Sequence, residues 1–197
     1  MKNKVEVSLP AFVVCISLLV LVLLFWLFYR NANHISSVLD QKLSLEHSVE
    51  VLAQLIGATA TQCAAAGIPD TSKGDVLTPE TCPLLFSLLG SIEQLKLINN
   101  KKVYVFIIDS SGNQVVNGGS PSLAVSKNGG RPGTNTLQYT DSNGNQVTKM
   151  ILDKGAAGGG YVEYMWPDPV TRENAKKLAY VKQVPNTPWT LGAGLYL

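Results

Sequence analysis

Residues Val7 to Tyr29 carry no charged side chain, and most are Val, Leu, Ile or Phe. Within them Ala11 to Tyr29 is a 19-residue apolar run. As a helix it reaches about 28 Å, close to the roughly 30 Å of bilayer hydrocarbon. Trp26, Tyr29 and Arg30 close it, as an interfacial girdle does. A cleaved signal peptide has a shorter apolar core and a small-x-small site. Here Trp-Leu-Phe-Tyr-Arg follows instead. Residues 1–30 are therefore read as a cytoplasmic tip and an uncleaved transmembrane anchor. Lys2 and Lys4 precede the run, and Arg30 and Lys42 follow it, a small bias toward a cytoplasmic N-terminus.

The remainder, residues 31–197, has the size of one domain with a connecting helix. A net charge of +2 and the lack of a Lys/Arg run argue against nucleic acid. The only histidines are His34 and His47, which argues against a Ser-His-Asp triad or a His-rich metal site further on. Gly155–Gly160 and Gly192-Ala-Gly194 lack the spacing of nucleotide loops and read as a helix exit and close strand packing. No enzyme activity and no cofactor are expected.

Cys15 lies inside the apolar run. Cys63 and Cys82 flank the polar, glycine- and proline-containing loop Ala64–Thr81. A disulfide there would close a loop of about 20 residues and contribute on the order of 3 kcal/mol in an oxidising compartment. Two unrelated buried thiols are the alternative.

Residues 31–65 read as one long helix, with apolar positions Ile35, Val38, Leu45, Val49, Leu52 and Ile56 on a stripe. It needs a packing partner, either its own domain or a second copy in a homodimer. A second helix is predicted over about 79–98, starting near Thr78-Pro79-Glu80 or at Pro83. The pattern then changes to strand period. Val103–Ile108 and Gln114–Val116 form a hairpin about the turn Asp109–Asn113. Gly118–Gly133 is a loop with a helical turn near Leu123. Val147–Lys154 is a short helix. Tyr161–Trp166, Lys177–Val184 and Trp189–Leu197 are strands. The order predicts an α+β domain on an antiparallel sheet of about five strands with short helices.

Several segments in order carry a resemblance: Tyr104-Val-Phe-Ile-Ile-Asp109 with Gly112, Asp141-Ser-Asn-Gly144, and Gly158-Gly-Gly-Tyr161. Tyr164-Met-Trp166-Pro167-Asp-Pro169, Lys177-Leu-Ala-Tyr180-Val181 and Trp189-Thr-Leu-Gly192-Ala-Gly194-Leu-Tyr196 complete the set. Together, over residues 102–197, they resemble the single-Cache sensors, PAS-like extracytoplasmic domains. The resemblance implies a PAS-like sheet with the long helix stacked on it. It also implies a pocket for small organic acids or similar metabolites. It places the domain in the periplasm, on the bacterial inner membrane. Members commonly feed a chemotaxis receptor or kinase; this chain ends with the last strand, so a transmembrane signalling partner is expected.

The resemblance carries Lys177, Tyr180, Tyr164 and Trp166 over as ligand-binding positions. Lys177 is the charge partner, Tyr164 and Tyr180 are hydroxyl donors, and Trp166 is a wall or lid. An ordinary strand lysine and sheet packing are the plainer readings. Arg131 could clamp a carboxylate and Asp141 could accept from an amine, against a solvated loop arginine and a turn aspartate. A structural alternative is a type IV pilin-like subunit. Cutting near Pro10-Ala11-Phe12 puts Cys15 where that family has glutamate. A receptor fragment that lost its output domain is a third reading.

Overall fold

The computed structural model describes residues 9–63, 69–95, 103–120 and 131–197; before Val38, side chains are described only at Leu23, Trp26 and Leu27. Most side chains of the predicted anchor, Cys15 included, therefore lie outside the described residues. So do part of the loop after Cys63, residues 96–98 of the predicted second helix, and the helical turn near Leu123. The chain divides into two units, residues 1–42 and 43–197. The first is helical from Leu9, within helix α1 (Leu9–Gln62). Among the described residues no helix is long and apolar enough to cross a membrane.

The second unit begins with the last turns of α1. Leu45, Val49, Ala53, Ile56 and Ala60 recur at steps of three or four and are fully buried. They pack into one cluster with Val105, Ile107, Leu191 and Ala193 of the sheet. The stripe thus meets its own domain. Helix α2 (Pro83–Ile92) starts later than Thr78, because Thr78 and Thr81 hydrogen-bond each other in a turn and Pro83 takes the first helical position.

The sheet contains β1 (Tyr104–Asp109), β2 (Gln114–Asn117), β3 (Gly160–Pro167), β4 (Asn174–Gln183) and β5 (Trp189–Tyr196), with α3 (Val147–Ala156) between β2 and β3. The strand order is β2-β1-β5-β4-β3, and every neighbouring pair is antiparallel. Period-2 alternation divides the two faces. Val105, Ile107, Tyr180, Leu191, Ala193 and Leu195 join the α1–α2 side. Tyr104, Phe106, Ile108, Val162, Tyr164, Ala179 and Val181 join the α3 side with Val147 and Ile151.

Candidate ligand cavity

The α3 side of the sheet holds a small cavity of about 20 Å³, roughly the room of one water, that opens to solvent. Tyr104, Phe106 and Ile108 of β1 line it with Gln114 and Asn117 of β2, Thr148 and Ile151 of α3, Tyr164 and Trp166 of β3, and Lys177 of β4. The wall is mostly apolar with a few polar groups, the composition of small-molecule sites.

Lys177 is only 1% exposed. Its Nζ stands 3.9 Å from the Tyr104 ring centroid, 5.1 Å from Phe106, 5.3 Å from Tyr196 and 6.0 Å from Tyr164. Aromatic faces attract a cation, but no carboxylate among the described residues pairs with it. Burial lowers the Lys177 pKa, and Tyr104 opposes that shift. Burial alone would raise the Tyr104 pKa, but the Lys177 charge and the hydrogen bonds from Lys177, Tyr196 and Trp166 together outweigh it and the phenol is lowered. Tyr104 and Tyr196 share a hydroxyl contact of 3.3 Å, and Tyr196 donates to the Pro167 carbonyl at 2.8 Å.

Glycines make room for this arrangement. Gly192 and Gly194 face the cavity from β5. A Cβ on Gly192 would overlap Phe106 Cζ, and one on Gly194 would lie 2.6 Å from Lys177 Cε. The Gly-Ala-Gly of β5 thus lets Phe106 and Lys177 lie flat against the sheet.

Tyr164 is 3% exposed, and burial raises its pKa well above the ordinary value. Its hydroxyl has no hydrogen-bond partner among the described residues. Trp166 is held edge-to-face by Tyr139 at 4.7 Å and by Tyr164 at 5.9 Å. Lys177, Tyr164 and Trp166 therefore come together, as the sequence predicts.

The other three positions lie elsewhere. Tyr180 is three residues from Lys177 on one strand, an odd step that turns it to the opposite face. There its hydroxyl donates to Glu50 of α1 at 2.8 Å. Arg131 is exposed and does not line the cavity. Asp141 is buried, but its carboxylate accepts from the amides of Asn143, Asn145 and Met165 at 2.9 Å each and from the Asn145 side chain at 3.1 Å. Burial would raise its pKa, but these bonds outweigh burial and hold it at about 2. Its carboxylate oxygens are thus taken up as acceptors within the protein rather than offered to a ligand amine.

Sequence reasoning did not single out Tyr104, Phe106, Tyr196, Gln114 or Asn117. Strand alternation could have found the first three. Gln114 and Asn117 share a face only because a bulge shifts the register, with Phe106 opposite Asn117 and Ile108 opposite Gln114.

Cys63, just beyond α1, and Cys82, just before α2, are joined as a disulfide with Cα atoms 5.7 Å apart.

A model of the family Single Cache domain 2 matches residues 87–197. The chain belongs to that family. The Cache domain here is 34% identical over 97 residues to the sensor histidine kinase MctS of Rhizobium johnstonii. The match covers 49% of this chain and 19% of that protein, so the chain spans about a fifth of its relative. Among solved structures, a Cache chemosensory domain described for carboxylic acid recognition is 25% identical. It has a TM-score of 0.60 and covers 83% of this chain and 98% of its own. A methyl-accepting chemotaxis protein from Vibrio parahaemolyticus shares the fold at 21% identity and TM-score 0.55, covering 82% and 92%. The periplasmic sensor domain of a chemotaxis protein does so at 22% identity and TM-score 0.54, covering 77% and 94%. The chain is a Cache sensor domain, related to the sensor regions of histidine kinases and chemotaxis receptors.

Proposed function

We propose that this Cache domain senses a small organic acid, bound as its carboxylate in the Lys177 cavity, from the periplasmic side of the bacterial inner membrane. One observation carries the reading: a fully buried lysine faces a largely aromatic cavity with no carboxylate partner among the described residues. Buried charges are ordinarily paired, and a ligand carboxylate supplies the missing charge. Tyr164 offers it a hydroxyl donor, and Trp166 forms a wall. The relative described for carboxylic acid recognition, with its matching fold, supports the ligand class.

The apolar, uncharged run before Arg30 supports a membrane tether. Exposed Leu43, Val51 and Leu55 on α1 support pairing with a second copy. The bound state then biases a kinase- or receptor-type output.

Isothermal titration of residues 31–197 with two- to five-carbon carboxylates tests the reading. Saturable binding that Lys177→Met abolishes is expected. If no carboxylate binds, or if the variant binds equally well, the reading is wrong.

A further inference from the structure

A chain of hydroxyl groups runs away from the ammonium toward the ends of β5 and β3. The Tyr196 hydroxyl carries one hydrogen, and it donates that hydrogen to the Pro167 carbonyl at 2.8 Å. In its 3.3 Å contact with Tyr104 it can therefore only accept, so Tyr104 is the donor. The bonds are thus directed, from Tyr104 to Tyr196 to Pro167. The Tyr104 hydrogen is taken, and its oxygen is left to accept.

Of the four aromatic faces around Lys177 Nζ, Tyr104 is nearest, at 3.9 Å against 5.3 Å for Tyr196. Gly119 packs over the Tyr104 ring, where a Cβ would come within 2.6 Å of Cζ. Burial lowers the Lys177 pKa, and the Tyr104 charge and hydrogen bond oppose it. Hydrogen bonds in series polarise one another. Donation to Tyr196 therefore makes the Tyr104 oxygen a better acceptor for the ammonium. The other titratable groups facing it are Tyr164 of β3 and Tyr196 itself, with Asp168 acting on Tyr196. From α3 only Thr148 and Ile151 line the cavity.

We infer that the Tyr196 hydroxyl is a positioning group for Lys177, acting through Tyr104. Its consequence for binding rests on the carboxylate reading above; its effect on the lysine does not. Tyr196→Phe keeps the ring beside the ammonium and removes only the hydroxyl. Tyr104→Phe keeps the nearest ring and removes the link through which that hydroxyl acts.

Two measurements on the full chain in detergent test this, for the parent, both single variants and the double variant. The first is the Lys177 titration without ligand, by NMR of its ε carbon, assigned by its loss in Lys177→Met. Tyr196→Phe should lower the Lys177 pKa by about half a unit, roughly a threefold change in its proton equilibrium. The second is acetate affinity at pH 7, which Tyr196→Phe should weaken about threefold. In the Tyr104→Phe background, Tyr196→Phe should change neither, because the two hydroxyls act in one chain. A lysine titration that Tyr196→Phe leaves unchanged overturns the inference. So does an equal loss in both backgrounds, which would place the effect at Pro167 or in the fold as a whole. If the titration shifts as expected but the parent binds no carboxylate, the carboxylate reading fails and the positioning role stands.

Discussion

Lys177 lies directly across Gly194: a Cβ added there would come within 2.6 Å of its Cε and 2.9 Å of the Leu178 carbonyl. The second contact is backbone, so lysine movement alone does not relieve the clash. Gly194→Ala should therefore displace Lys177 and strain the β4–β5 pairing, where Gly194 sits opposite Ala179. Overpacking of this kind costs about 1–3 kcal/mol. We expect a lower melting temperature and at least tenfold weaker carboxylate binding. An alanine variant with unchanged melting and affinity would show that the lysine is not held by this glycine.

Lys177→Met separates stability from function. It removes a buried cation that no carboxylate among the described residues balances and keeps similar volume. Replacing buried charge by well-packed apolar groups is often neutral or stabilising. The ligand-free variant should be at least as stable as the parent at pH 7. The sign with pH follows from the lowered lysine pKa. Between the folded pKa and the ordinary 10.5, the unfolded chain binds more protons, so parent stability rises with pH. The lowered Tyr104 pKa acts in the same direction. Tyr164 and Tyr196, pushed upward, oppose it only near and above their ordinary range. Chemical denaturation of parent and variant from pH 7 to pH 10 should show the parent gaining on the variant. A constant difference would mean that Lys177 stays fully charged when folded.

The sheet was legible because its strands are short β-branched and aromatic runs separated by Gly, Pro, Asn and Asp turns. All five appear within a few residues of their predicted limits. Half of the proposed site was legible for the same reason: Tyr164 and Trp166 are two apart on β3 and share a face. Tyr180 shows where a segment match runs out. It stands three residues from Lys177, and the parity of a strand sends the two to opposite sides. Gln114 was hidden for the converse reason. A bulge on β2 breaks the parity that a sequence reading assumes. Arg131 and Asp141 had plain loop readings from the start, and their exposure and hydrogen bonding agree with those readings.

Asp141 should matter for the frame of the cavity while touching no ligand. Its carboxylate ties the 141–145 turn to Met165 of β3, next to Trp166. Asp141→Ala leaves four donors without this acceptor and should cost about 2 kcal/mol at neutral pH. The folded pKa of about 2 lies below the ordinary 3.8, so its contribution is complete above the ordinary value. It is lost as pH falls through the folded pKa. Denaturation at pH 7 and pH 2 should show the gap between parent and variant shrinking in acid. A gap that does not change would mean that the ionised carboxylate is not what holds the turn.

The opposite face provides a control with its own expected outcome. Tyr180 donates to Glu50, which also pairs with Lys182 at 3.0 Å. Tyr161 donates to Glu46 at 3.2 Å, and the two tyrosine rings meet edge-to-face at 5.0 Å. These contacts fasten the last turns of α1 to β3 and β4. Tyr180→Phe keeps the ring and removes one bond to a charged acceptor, so a loss of about 1–2 kcal/mol is expected. Burial would raise the Glu50 pKa, but the Tyr180 and Lys182 contacts outweigh it and the group is lowered. The stabilisation from Glu50 should therefore be present above pH 4.5 and disappear as pH falls through its folded pKa. Because Tyr180 faces away from Lys177, the variant should keep the carboxylate affinity of the unliganded-stable parent within about twofold, within the scatter of distant, uncoupled sites. If Tyr180→Phe weakens binding tenfold, the two faces of β4 are energetically coupled. The α1 contact would then respond directly to the occupied cavity.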